Sequence, residues 1–186
     1  MRECLQFWNL HLKGIRSDRK SSKLIWYQCF GEIPPGPSVK IFPGEWHQSE
    51  SVPSKSVEYL LTDEGFLREK NTAAQVQNWK QKWELKFMSD IGLTCGEILS
   101  FGKPDLPADQ RSANELSVTW RTDELKNDLD LFGFPKLSFD FSVKNDTRGT
   151  VAVRLCDVFP DGQERLLTFG VLNLNHVDGH DNPKEL

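Results

Sequence analysis

The chain contains several residue types that could do chemistry, but none in a pattern typical of a catalytic site. The G-x-S-x-G motif, which exposes the nucleophile of α/β-hydrolases, does not occur in the 186 residues. A Cys–His pair stays open as an alternative, because such partners meet in space rather than in order. Cys95 falls in a predicted loop and Cys156 in a predicted strand, where a packing role is more common. We therefore predict no catalytic residue in this chain.

Two histidines late in the sequence could bind a metal ion. His176 and His180 are four residues apart and are flanked by aspartates, and zinc and calcium sites use these residue types. Gly179 and Pro183 disfavour the helix that would align the two histidines, so we predict a solvated loop, no metal site and no cofactor. Pro160-Asp161-Gly162 is likewise better explained as a β-turn than as a calcium loop.

Three tryptophans could form a stacking platform for a sugar ring, namely Trp79, Trp83 and Trp120. Alternating aromatic residues in a β-sandwich more often belong to its core. An exposed platform with polar groups nearby would favour a ligand-binding module, whereas buried tryptophans would favour a structural role.

Composition excludes several classes of protein. The formal net charge of -4, without a run of Lys or Arg, provides no basic surface for nucleic acid. No stretch approaches the roughly 18 apolar residues of a membrane span, and the first residues lack the apolar segment of a secretion signal. The four cysteines are scattered singly, which fits a reducing compartment better than a disulfide framework. We therefore expect a cytoplasmic protein with no nucleic-acid or membrane partner.

The spacing of apolar residues predicts one helix near the start of the chain. Apolar residues recur at helical intervals over residues 2–13, and Gly14 follows in a position that would end the helix. Residues 24–29 are rich in β-forming side chains and predict a short strand. The chain around Pro43-Gly44-Glu45-Trp46 is expected to be irregular.

The rest of the chain predicts antiparallel β-structure. Strands are expected at residues 57–61, in the second half of 73–87, and at 137–143, 150–158 and 165–175. Turns are expected at Asp63-Glu64-Gly65 and Pro160-Asp161-Gly162. The last three strands would form a meander, which is typical of a mainly β protein built as an antiparallel sandwich or jelly roll.

Several segments resemble the CocE/NonD hydrolases, the family of Xaa-Pro dipeptidyl-peptidase and cocaine-esterase-like proteins. Leu5 to Gly14 resembles the helix that closes their α/β-hydrolase domain, and Pro43 to Trp46 is similar to the connection that follows it. The most specific stretch runs from Pro104 to Arg111. It is followed at the family's distances by three further similar segments, Asp128–Pro135, Val153–Gly162 and Gly170–His176.

The resemblance implies a domain organisation. Residues 1–14 would be the terminal helix of a hydrolase domain, 15–55 an irregular linker with a short strand, and 56–186 a partial jelly roll of the galactose-binding-like type. In the family, the catalytic Ser, Asp and His precede this helix, so none of them maps onto this sequence. The family's jelly roll continues beyond the segment that matches His176, so we expect an incomplete sandwich.

The same resemblance implies a function. The chain would be the non-catalytic part of a serine hydrolase, a dipeptidyl-peptidase or acyl esterase, and would pack on the α/β-hydrolase catalytic domain. A family loop reaches the catalytic cleft with apolar side chains, and the matching positions here are Ile98, Leu99 and Phe101, which would wall the substrate pocket. Open strand edges would favour homo-oligomers. The alternative is a stand-alone carbohydrate- or ligand-binding module, because such modules share the jelly-roll fold.

Overall fold

The computed structural model describes most of the chain, namely residues 2–15, 24–31, 42–53, 55–71, 82–85, 88–96, 107–144, 148–179 and 183. The chain divides into two compact units, one of residues 1–30 with 43–54 and the other of residues 31–42 with 55–186. Within these described ranges, no helix has both the length and the apolar character that crossing a membrane requires.

The first unit begins with helix α1, Arg2–Lys13. The helix ends at Gly14, whose φ of 66° lies in the left-handed region that glycine adopts without a steric penalty. The Gly14 amide donates to the Leu10 carbonyl at 3.1 Å, and the Ile15 amide donates to the Asn9 carbonyl at 3.1 Å. Two carbonyls of the last turn are thereby satisfied. The predicted helix and its glycine stop are confirmed.

The first unit also contains an antiparallel pair of strands, β1 (Leu24–Cys29) and β2 (Gly44–Ser49). The prediction of β1 is confirmed, but the expectation of irregular chain from Pro43 to Trp46 was wrong. Proline is tolerated at the start of a strand because it lacks only the amide donor. The Pro43 carbonyl still takes part in pairing and accepts from the Phe30 amide at 2.8 Å.

In the second unit, β3 (Tyr59–Leu61) pairs with β4 (Leu67–Glu69) in antiparallel fashion. The turn between them contains Gly65 at a φ of 81°. The Gly65 amide donates to the Thr62 carbonyl at 3.1 Å, and Thr62 Oγ1 accepts from the Phe66 amide at 2.9 Å. The predicted turn is confirmed, and the predicted strand 57–61 is shorter than expected.

The longest strands are β5 (Thr150–Val158) and β6 (Glu164–Asn173), which form an antiparallel hairpin. In the turn, the Gly162 amide donates to the Phe159 carbonyl at 2.8 Å, and Gly162 has a φ of 84°. The predicted turn and both strands are confirmed. β6 ends two residues earlier than expected, because a 3₁₀ helix, Leu174–His176, follows it.

The predicted strand at 137–143 is not present, since these residues carry no strand assignment. Of the strand predicted in the second half of 73–87, only residues 82–85 are described, and they carry no strand assignment. Phe139 and Phe141 are exposed, with ring centroids 6.2 Å apart. Apolar alternation alone does not make a strand, because a ladder also needs a hydrogen-bonded neighbour.

The predicted fold class is confirmed. The described strands form three small antiparallel sheets of two strands each, which is a mainly β, incomplete sandwich. The few buried side chains of the described part are as often polar as apolar, namely Cys95, Ala113 and Leu174 against Thr62, Gln110 and Glu164. Two of the three buried polar residues, Gln110 and Glu164, lie where helix α2 (Arg111–Asn114) meets the β5–β6 hairpin.

The first residue of β2 must be glycine. A Cβ added at Gly44 would lie 2.1 Å from the carbonyl oxygen of Gln28 and 2.8 Å from Cε1 of Tyr27. The obstacle at Gln28 is backbone of the paired strand, so a larger residue would push β1 and β2 apart.

We expect Gly44→Ala to destabilise the β1–β2 pair by about 1–3 kcal/mol, the usual cost of overpacking. Hydrogen exchange of the β1 and β2 amides measures the loss of protection directly. Gly31→Ala is the matched control, because a Cβ at Gly31 meets nothing within 4 Å. If the β1 and β2 amides are as well protected in Gly44→Ala as in Gly31→Ala, the steric requirement at Gly44 is contradicted.

Candidate functional site

The most densely hydrogen-bonded part of the second unit joins residues 109–121 to the β5–β6 hairpin. We call it the polar cluster, and it consists of Asp109, Gln110, Asn114, Arg121, Arg154 and Glu164. It contains the end of the stretch that the sequence marks as most specific, Pro104 to Arg111.

Asp109 ties the start of α2 to the start of β6. Its Oδ1 accepts from the amides of Arg111 and Glu164, each at 3.1 Å, and its Oδ2 accepts from Arg111 Nε at 2.7 Å. The Gln110 amide also donates to the Glu164 carbonyl at 2.9 Å. One carboxylate therefore organises two backbone segments that are far apart in sequence.

Gln110 is only 2% exposed, and its side-chain nitrogen donates to two backbone carbonyls. Its Nε2 donates to the carbonyls of Cys95 at 3.1 Å and Ala108 at 2.7 Å. The Ala108 amide donates to the same Cys95 carbonyl at 2.8 Å. A buried amide is stable only when its donors are paired in this way. Residues 95 and 108 are thereby held together at the ends of the intervening segment.

Glu164 is a buried acidic residue, with a side chain that is only 4% exposed. It accepts from the Arg121 guanidinium and from the Asn114 side-chain amide. Asn114 Oδ1 accepts in turn from Arg154 Nη2 at 2.7 Å, and the same nitrogen lies 3.2 Å from Ser117 Oγ. Removal of a partner would leave a buried charge uncompensated, which is strongly destabilising.

The two cysteines next to the polar cluster have the surroundings of packing residues. Asn114 Nδ2 lies 3.8 Å from Cys156 Sγ, and Arg154 Nη1 lies 4.0 Å from Cys95 Sγ. Burial raises the pKa of the Cys156 thiol despite these donors. A raised pKa lowers the fraction of the nucleophilic thiolate at neutral pH, so this geometry argues against a catalytic Cys156.

The tryptophans do not form a flat platform. The rings of Trp83 and Trp120 meet edge to face with centroids 5.1 Å apart, and Trp120 Nε1 donates to the Thr62 carbonyl at 3.1 Å. Trp79 lies outside the described residues. A sugar ring stacks on an open ring face, and this arrangement instead turns one ring edge into the other. The two rings contact each other as packing residues do, but Trp83 is 40% exposed and Trp120 is only partly buried, so the burial expected of a purely structural role is not met.

The other candidate residues are only partly placed by the structure. His176 lies in the 3₁₀ helix after β6, and His180 lies outside the described residues. In the part of the chain that the structure describes, no three His, Cys, Asp or Glu side chains gather as a metal site would require. The predicted pocket-wall residues Ile98, Leu99 and Phe101 also lie outside the described residues, so their role stays a prediction.

Comparison with known proteins identifies the family of the chain. Residues 19–186 match the family model of the X-Pro dipeptidyl-peptidase C-terminal non-catalytic domain. The chain belongs to this family. No curated protein and no solved structure matches the chain. The non-catalytic domain defined by the match includes the polar cluster and the six described strands, whereas α1 precedes it.

Sequence reasoning found only part of the polar cluster of this non-catalytic domain. The resemblance marked the stretch that ends with Asp109, Gln110 and Arg111, but it supplied no structural role for these residues. Glu164 was missed. The available signal was its position directly after the Pro160–Gln163 turn, where an acidic residue opens the predicted strand.

The Asp109 carboxylate makes the stability of the domain depend on pH. Partial burial would raise its pKa, but the hydrogen bonds from the Arg111 side chain and from the amides of Arg111 and Glu164 outweigh burial and lower the pKa below its ordinary 3.8. A carboxylate whose pKa is lowered by folding stabilises the folded state at pH values above the pKa that it has in the unfolded chain. That contribution is lost as the pH falls through the folded-state pKa.

We expect Asp109→Asn to weaken the dependence of the free energy of unfolding on pH below about pH 4, since the variant has no carboxylate to protonate. Urea unfolding of both proteins between about pH 2 and 7 measures the difference. The exposed Asp140 supplies the control variant Asp140→Asn. An acid dependence that is the same in wild type and Asp109→Asn would show that Asp109 does not contribute.

Proposed function

We propose that the chain is the non-catalytic C-terminal region of a serine hydrolase of the X-Pro dipeptidyl-peptidase type, that it packs on the α/β-hydrolase catalytic domain, and that it helps to wall the substrate pocket. In the whole enzyme, a serine hydroxyl of the catalytic domain would attack the amide or ester carbonyl. The observation that carries the proposal is the exposed apolar face of α1, the helix that precedes the family match.

Helix α1 has the properties of a segment that belongs to a larger folded body. Leu5, Trp8 and Leu12 lie three and four residues apart, so they share one face, and all three are exposed. A helix of 12 residues is marginal in water without tertiary packing. Its sequence resembles the helix that closes the hydrolase domain of this family. A catalytic domain is therefore the surface that we propose for this face.

In the full-length hydrolase, we expect Leu12→Asp to destabilise the catalytic domain by about 2 kcal/mol or more, because a buried leucine is lost and an unpaired charge is introduced. The Leu12→Asp enzyme should show both a lower melting temperature and a lower activity than the wild-type enzyme. Leu93→Asp is the matched control, since Leu12 is 73% and Leu93 78% exposed in this chain. Unchanged melting of the Leu12→Asp enzyme would overturn the packing proposal.

The proposed pocket wall consists of Ile98, Leu99 and Phe101, which the family resemblance matches to a loop at the catalytic cleft. The described residues on either side support this role. Cys95 and Ala108 are joined by a backbone hydrogen bond of 2.8 Å and are both bonded by the buried Gln110. Both ends of the intervening segment are therefore bonded to Gln110 of the polar cluster, and segments mounted on such fixed scaffolds often carry recognition.

We expect Phe101→Ala in the full-length enzyme to lower kcat/KM more for a substrate with a bulky acyl group than for one with a small acyl group. The difference should be about 1–3 kcal/mol of transition-state binding, with the melting temperature little changed. Steady-state kinetics with the paired substrates measures it. Equal losses for both substrates together with a lower melting temperature would assign Phe101 to the core instead.

We also propose that the enzyme acts in the cytoplasm. The support is that all four cysteines are free thiols, two of them exposed (Cys4 and Cys29), one partly buried (Cys156) and one buried (Cys95). Free and scattered thiols fit a reducing compartment.

A further inference from the structure

We draw no further inference here: the strongest candidate, the buried side chain of Gln110 at the start of α2 with its hydrogen bonds to the carbonyls of Cys95 and Ala108, belongs to the site already described, and residues 97–106, through which it would act on a substrate, lie outside the described residues.

Discussion

The buried carboxylate of Glu164 is the interaction on which the second unit depends. An ion removed from water costs several kcal/mol unless partners compensate for its lost hydration. Arg121 and Asn114 supply those partners from a segment more than 40 residues earlier in the chain. Strand β6 and the segment around α2 therefore stabilise each other, because Glu164 is stable at its position only when both are folded. Asp109 and Gln110 add backbone bonds to the same residue and fix the angle at which the two meet.

Because the polar cluster supplies much of the interior, apolar side chains are left on the surface. Hydrogen bonds in the polar cluster are directional, so they define a single arrangement of α2 on the hairpin, but they bury little apolar area. In the described part of the chain, only Cys95, Ala113 and Leu174 are buried apolar residues, while many large apolar side chains are exposed. Such a protein gains further stability when these surfaces are covered. Packing against a catalytic domain would supply such cover.

Local signals explain which elements the sequence could predict. Gly14 ends α1 and Gly162 turns the chain between β5 and β6, because each needs only its own positive φ. Strand β2 was missed because proline and glycine at its start are local signals of irregular chain. Gly44 is needed there for its close contact with Gln28 on the paired strand, and a local pattern does not show that contact. The segment 137–143 shows the reverse error, since its alternation is real but no described neighbour pairs with it. The polar cluster joins residues as far apart as 109 and 164, so spacing alone could not assemble it.

The polar cluster also shows why a domain with many charged side chains need not be catalytic. A general base or nucleophile requires a pKa near the working pH and a group that is free to react. Here the pKa of Asp109 is lowered away from neutrality and the pKa of the Cys156 thiol is raised, so the first is a weaker base and the second a poorer nucleophile. Glu164 is bound to Arg121 and Asn114. These groups hold one another and the nearby backbone in place, with Asp109 bonded to backbone amides and Glu164 to side chains.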